Sequence, residues 1–295
     1  MECIDSVCAS DYPRVKTVVV DNGPERGLWQ QPSQDNTAID FIAAATNTGY
    51  CGGNNLGIKQ ARKLRAKYVF LLNNDTIIDK SLIHNCVGYL EKRPAVAVIS
   101  PKIYFHHRPQ HIYAAGGELD LYTEEISFVG WNERDEGQYE RAREITWASG
   151  CALFAHTDVF ERVGLFDERL FCYGEDNALS RRINMAGIKM IYFPKAMLWH
   201  KCSSLEIAGE GTLPTTIAAY YIWRNKLYNI RQYIVRRRAR SYCVFALNFV
   251  WRIAAFGLKH RRLDLCRAML LGLADSVAGR MGKRDYPLFR NASDS

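Results

Sequence analysis

Two periods alternate through the first hundred residues. "VKTVVVDNG" is a β-branched run that breaks at Asp21-Asn22-Gly23, which predicts a strand and then a turn. "AIDFIAA" predicts a second strand. "GGNNLGIKQARKLRA" carries apolar positions at helical spacing, with Asn54 or Asn55 as the expected N-cap. "YVFLL", residues 68–72, predicts a buried strand, and "SLIHNCVGYLEKR" an amphipathic helix that stops before Pro94. "AVAVIS" is a fourth strand. Strands alternating with helices predict βαβ units and a mostly parallel central sheet flanked by helices, an α/β fold. From 101 to 150 the pattern loosens into short strands and loops. "ITWASGCALFAH" returns to strand, "DVFERVG" is a short helix capped by Thr157 or Asp158, and "YGEDNALSRRINMAG" starts a helix at an acidic pair and ends it at Gly187. "IKMIYFP" is a strand, and beyond Pro214 the chain reads as about three helices. The expected division is 1–213 as one domain, 214–284 as a basic helical extension and 285–295 as a tail.

Charge changes this picture at the C-terminal end. Residues 224–284 hold 15 Lys/Arg against Asp264 and Asp275, a net of +13, whereas the whole chain of 295 residues carries +8. Such asymmetry fits either solvated basic faces or a surface that docks on anionic lipid, with Tyr233, Tyr242, Phe245, Phe249 and Trp251 seated at the headgroups. No recognised motif favours nucleic acid. "YCVFALNFVWRIAAFGL" is interrupted by Asn248 and Arg252 and falls short of the ~20 apolar residues a bilayer span needs, so a buried or interfacial helix is expected. Nine cysteines, with no C-x-x-C and no signal-peptide pattern, point to a reducing cytoplasm, with the inner face of the plasma membrane as the docking surface.

The candidate chemistry sits where strands end, because ligands of open α/β sheets bind at the carboxyl ends of strands. Asp21 ends one strand, and Asn73-Asn74-Asp75 follows another. Oxygen donors at that spacing suit Mg²⁺ or Mn²⁺ shared with a diphosphate; "NND" also suits a plain turn with an Asx cap. "TNTGYCGGNNLG", residues 46–57, offers backbone N–H groups and a helix start to an anion, or is a capped flexible loop. Glu175 and Asp176 either favour a helix start electrostatically or divide a general base from a positioning group. His200, ending an apolar strand, is structural or binds metal or diphosphate.

Taken in order, "VVVDNG", "NTGYCGGNNLGI", "YVFLLNNDT", "GCALFAHTDVFERVGLFDERLFCYGEDNALSRRINMAG" and "WHKCSS" resemble family 2 glycosyltransferases of GT-A fold, the rhamnosyltransferase-like members above all. The likeness runs over about residues 1–230 and includes "YYIWRNKLYNIRQY". It implies an inverting transfer of a sugar from a nucleoside-diphosphate donor, dTDP-rhamnose or a UDP-sugar, to a glycan or lipid-linked acceptor in cell-surface polysaccharide synthesis. It implies Asp21 on the base or ribose, and Asn47, Gly49, Gly52, Gly53, Asn54, Asn73 and Asn74 around the donor. It also implies Trp147 to Cys151 near acceptor and sugar, Asp75 and His200 at a Mg²⁺ or Mn²⁺ ion, Asp176 as base and Glu175 beside it. Two departures accompany the likeness. Asn73 replaces the first acid of the D-x-D motif, and "MECIDSVCASDYPRVKTVVVDNG" reads as the helix after an expected first apolar strand rather than as that strand. Either the start is truncated or the base is held otherwise. A catalytically impaired, membrane-associated assembly subunit is the alternative reading.

Overall fold

The computed structural model describes residues 1–23, 39–201, 213–234 and 237–289. Cys202 to Ser204 of "WHKCSS", and tail residues 290–295, lie outside the described residues. The strands are β1 (Thr17–Asp21), β2 (Ile39–Ala43), β3 (Tyr68–Leu72), β4 (Thr76–Ile78), β5 (Val96–Phe105), β6 (Arg108–Ala114), β7 (Gly117–Leu119), β8 (Ile126–Phe128), β9 (Arg143–Ile145), β10 (Ala152–His156) and β11 (Lys189–His200). The helices are α1 (Glu2–Cys8), α2 (Gly49–Lys63), α3 (Leu82–Glu91), α4 (Val159–Val163), α5 (Glu175–Met185), α6 (Thr216–Tyr233), α7 (Arg238–Ala254, continued by a π turn at Ala255–Lys259) and α8 (Leu263–Val277).

The central sheet has seven strands with the path β3-β10-β5-β11-β4; β6 joins β5, and β9 joins β11. It is mixed, which corrects the mostly parallel expectation. Only β5 and β11 pair parallel within it, while β10 runs antiparallel between β3 and β5. The βαβ alternation did point β3 and β5 the same way. The strand between them arrives from beyond the irregular 101–150 region, where the helical period that forces parallel crossovers is lost. β1 and β2 pair parallel as a separate two-stranded sheet. This leaves β1 and β3 each with one edge unpaired among the described residues. α2 packs against both strands.

Period-two alternation sends neighbouring strand residues to opposite faces. Val98 of β5 and Leu153 of β10 meet Ile58 of α2, Phe160 of α4 and Leu179 of α5 on one face. Ile99 of β5 and Phe154 of β10 meet Leu82, Cys86 and Leu90 of α3 on the other. α1 closes over β4: Ser6 Oγ accepts from the Ile78 amide at 3.2 Å, and Cys3 Sγ donates to the Asn73 carbonyl at 3.4 Å. A third cluster joins α6, α7 and α8, with Tyr286 and Phe289 packed on it. In that cluster α6 and α8 touch backbone to side: a Cβ on Gly272 would stand 2.4 Å from the Tyr220 carbonyl oxygen. Phe245 and Phe249 point into the cluster, edge-on to Trp223 at 5.5 and 5.1 Å, and are 6% and 8% exposed. They are core residues, so the expectation that they seat at lipid headgroups does not hold.

Candidate functional site

Three chain segments meet at the ends of β1 and β3. The first is the start of α2, which lies earlier than the predicted cap at Asn54 or Asn55. The helix begins at Gly49. Long-range groups serve its first turn instead of a local cap. Asn22 Oδ1 accepts from the Thr48 amide at 2.8 Å and from its hydroxyl at 2.9 Å, and Asn22 Nδ2 donates to the Gly49 carbonyl at 2.7 Å. The Cys51 amide donates to the Phe171 carbonyl at 3.1 Å. Gly49 has φ +71°, and a Cβ there would stand 2.4 Å from the Phe171 ring and carbonyl, so this close approach requires glycine. Gly52 and Gly53 are buried against Thr48 and Asn22. Asn47 Oδ1 accepts from the Gly49 amide, and Asn54 Nδ2 donates to the Tyr50 carbonyl, both at 2.9 Å. Asp21, half-buried, accepts from the Gly23 amide at 3.0 Å. Asp21, Asn22 and the start of α2 therefore form one tied corner.

The second segment is the loop after β3. The Asn73 amide donates to the Cys151 carbonyl at 2.9 Å, and the Asp75 carbonyl accepts from the Lys201 amide at 2.8 Å. Asn74 is exposed and Asp75 half-buried. Asp75 Oδ1 lies 3.2 Å from His200 Nε2, close enough for an ion pair but with no hydrogen bond of good geometry to that oxygen. Burial works against the Asp75 charge, yet the His200 contact and charge, with Lys201 behind, hold the carboxyl below its ordinary range. A carboxylate that stays ionised, with an unbonded oxygen beside an imidazole, fits a hard divalent ion that takes its remaining ligands from phosphate and water. Among the described residues no cluster of three or more His, Cys, Asp or Glu stands ready as a closed metal site. The donor set is thus an open one, Asp75 with His200.

The third segment is the N-terminus of α5. Asp176 Oδ2 accepts from the Gly150 amide at 3.3 Å, and its Oδ1 from the Asn177 amide at 2.9 Å. The Tyr50 hydroxyl of α2 donates to the Gly150 carbonyl. Gly150 and Cys151 are therefore the hub: one side touches Asp176 and Tyr50, the other the Asn73–Asp75 loop. Burial pushes Asp176 up to about 6, against the pull of the two amides. Glu175 is 7% exposed, its Oε2 has no hydrogen-bond partner, and burial together with the Asp176 charge raises it well above the carboxylate range. Trp147 is 2% exposed, and its indole N–H donates to Asn177 Oδ1 at 2.9 Å. It braces the first turn of α5 from behind the site.

The loop leading into that turn is strained. Phe171 and Tyr173 hold φ of +66° and +64°, followed by Gly174 at +81°. Such residues persist only where the surroundings over-determine them, and α6 supplies that grip. Asn225 Nδ2 sits 2.9, 2.8 and 2.7 Å from the carbonyl oxygens of Leu170, Cys172 and Tyr173. Arg224 donates to the Leu170 carbonyl at 2.9 Å, and Asn229 to that of Gly174 at 2.9 Å. All three side chains are 0% exposed. Sequence reasoning passed over Asn22, Tyr50 and this trio, and reached Gly150 only within the Trp147–Cys151 stretch. The signal for the trio was present: Arg224, Asn225 and Asn229 stand among the aromatic and aliphatic residues of the "YYIWRNKLYNI" segment, where buried polar groups need partners.

Comparison with known proteins agrees with this arrangement. A family model described as glycosyltransferase like family 2 matches residues 1–221. The N-acetylglucosaminyl-diphospho-decaprenol L-rhamnosyltransferase of Mycobacterium tuberculosis is 26% identical over 214 residues, which cover 66% of this chain and 69% of that protein. The low-salt glycan biosynthesis hexosyltransferase of Haloferax volcanii is 29% identical over 166 residues, 54% of this chain and 50% of its own length. The chain thus spans about half of the Haloferax protein. Among solved structures, GalNAc-T7 with UDP, GalNAc and Mn²⁺ superposes with a TM-score of 0.58 at 13% identity, covering 93% of this chain and 52% of that one. S. aureus TarS 1-349 in complex with UDP-GlcNAc superposes at 0.56 and 16% identity, covering 94% of this chain and 76% of that one. These likenesses show the fold, an α/β architecture with a mixed central sheet as in GT-A glycosyltransferases. With three quarters of its length inside the family model, the chain belongs to glycosyltransferase family 2.

Proposed function

We propose that this chain transfers a sugar, with inversion, from a nucleoside-diphosphate donor to a glycan or lipid-linked acceptor of surface polysaccharide synthesis. The observation that carries the reading is the pairing of unlike carboxylates around Gly150 and Cys151: Asp75 kept ionised, Asp176 raised to about 6. A Mg²⁺ or Mn²⁺ ion held by Asp75 and His200 would supply charge neutralisation for the departing diphosphate. Asp21, Asn22 and the Gly49–Asn54 turn bind and orient the nucleotide, with Asn73 and Asn74 at the rim. Asp176 Oδ2 accepts the proton of the acceptor hydroxyl as that oxygen attacks the anomeric carbon. A base titrating near 6 is ionised at neutral pH and still basic enough to take the proton. Glu175, neutral and buried, positions it. The donor reading, dTDP-rhamnose or a UDP-sugar, draws on the named substrates of the relatives. The reading extends to a cytoplasmic location, in keeping with eight cysteines that form no disulfide among the described residues.

The test is release of nucleoside diphosphate from a panel of dTDP-, UDP- and GDP-sugars with lipid-linked acceptor. Turnover is expected with one base, lost on chelation and restored by Mg²⁺ or Mn²⁺. Turnover unchanged after rigorous chelation removes the metal role of Asp75. One observation favours a second reading. β1 and β2 stand apart from the main sheet as a two-stranded sheet on which α2 packs, so no strand pairing ties the nucleotide corner to the central sheet among the described residues. An assembly subunit without nucleotide-sugar affinity would show no heat of donor binding by calorimetry at any base.

A further inference from the structure

α7 is apolar on two faces, and only one is covered. Phe245 and Phe249, with Phe256 of the π turn, enter the cluster shared with α6 and α8. On the other side Tyr242, Leu247, Val250, Trp251 and Leu258 stand 37%, 71%, 66%, 62% and 83% exposed. Leu247, Val250, Trp251 and, in the π turn, Leu258 follow one helical stripe along the C-terminal half of the element. Exposed large apolar residues are ordinary when scattered, but a continuous stripe is an interaction surface. Residues 237–262 carry seven Lys/Arg and no Asp or Glu. Arg238, Arg240, Arg252 and Lys259 are exposed beside the stripe.

The segment Arg238–Lys259 is long and apolar enough to cross a bilayer by length and composition, with 17% of its most apolar window buried. Its attachments argue for another pose. Asn248 Nδ2 donates to Glu125 Oε1 at 2.5 Å, the Ser241 hydroxyl donates to the Tyr122 carbonyl, and Phe245 and Phe249 pack on Trp223. Crossing would strip all of these away and carry Arg252 into hydrocarbon, which is costly. Lying in the interface keeps every contact and leaves the stripe facing lipid.

We propose that the exposed face of α7 is a docking surface for an anionic lipid bilayer: Leu247, Val250, Trp251 and Leu258 enter the acyl boundary, and the flanking Arg and Lys side chains meet headgroup phosphates. None of its residues belongs to the set assigned to sugar transfer, and its test does not require turnover. The full chain is floated with phosphatidylcholine vesicles, with and without phosphatidylglycerol, at low and high salt. Recovery is expected with the anionic vesicles, weakened by salt. Leu247→Gln combined with Trp251→Gln is expected to lower the vesicle partition constant about tenfold or more, at unchanged circular dichroism. Both side chains are exposed, so the fold does not depend on them. Brominated lipid is expected to quench a tryptophan fluorescence component that Trp251→Phe removes, which reads insertion without a destabilised variant. Equal recovery of wild type and double variant overturns the proposal. So does absence of quenching, or a dimer in sedimentation that the double variant abolishes while vesicles recover nothing, which assigns the stripe to a second copy of the chain.

Discussion

The two acidic regions of the rim hold the same functional group and treat it in opposite ways. At the end of β3, Asp75 meets His200 and Lys201, and its charge is stabilised despite burial. At the start of α5, Glu175 and Asp176 are adjacent with no ion-pair partner among the described residues, and burial drives both up. Carboxylates pushed apart in this way take different roles: one holds charge permanently, the other gains and loses a proton. The difference arises from neighbours rather than from sequence position. His200 closes β11 beside β4, whereas α5 is entered through a loop in which Asn225 and its companions occupy the carbonyls of Leu170, Cys172, Tyr173 and Gly174.

The largest expected effect breaks the comparison at its basic end. Asp176→Asn keeps the volume and one of the two backbone hydrogen bonds, from Gly150 or Asn177, but cannot accept the acceptor proton, so kcat is expected to fall by ~10²–10⁴-fold with donor affinity retained. In the wild type, kcat/KM is expected to drop as pH falls below about 6, where Asp176 becomes protonated. That limb should vanish from the residual rate of the variant. Full turnover by Asp176→Asn removes the residue from the mechanism. A smaller effect is expected from Asn225→Ala, which removes the Nδ2 contact from the carbonyls of Leu170, Cys172 and Tyr173 and leaves Arg224 on that of Leu170. Displacement of the α5 start by about 1 Å costs on the order of 10²-fold in rate. A positioning role predicts loss in kcat, little change in donor KM, and a moved acidic limb in the pH profile. Loss of stability with an unmoved limb would assign Asn225 to packing alone.

How far this was legible in the sequence follows from the range of the forces involved. β1, β3, α3 and α5 were readable because strand and helix periods and the breaks at Asn22-Gly23, Asn73-Asn74 and Pro94 are local. The start of α2 was not, because Asn22 and the Phe171 carbonyl, both distant in sequence, decide it, and glycines at 49, 52 and 53 look locally like loop. The direction of β10 was hidden in the same way, since a short apolar strand carries no signal of its partner. Candidate residues Asp75, Glu175, Asp176 and His200 could be picked from strand ends and a helix start, but their divergent titration required coordinates. On α7 the sequence shows two apolar faces, and nothing in it tells Phe249 from Val250. Only packing shows that the first is covered and the second exposed.

The sharpest form of the comparison is thermodynamic, and its expected size is the smallest. Asp176 binds its proton more tightly in the fold than in the unfolded chain, so between about pH 4 and 6 the native state holds more protons and stability falls as pH rises. A two-unit shift corresponds to roughly 1–3 kcal/mol once partial exposure is allowed for. Asp176→Asn removes that penalty but gives up one backbone hydrogen bond at every pH, so its stability relative to wild type is expected to fall as pH drops from 7 to 4. Asp75 has the opposite sign. Its carboxyl is held below its ordinary range, so it contributes stability above its unfolded pKa that is lost as pH falls through the folded value. Asp75→Asn is therefore expected to lower stability at pH 7 and to approach wild type in acid. Urea midpoints of the two variants across pH, measured without donor or metal, distinguish the cases. Opposite pH slopes relative to wild type, falling toward acid for Asp176→Asn and rising for Asp75→Asn, support the division of roles. Slopes of the same sign would mean that the two carboxylates share one environment, and the assignment of Asp176 as base would lose its physical ground.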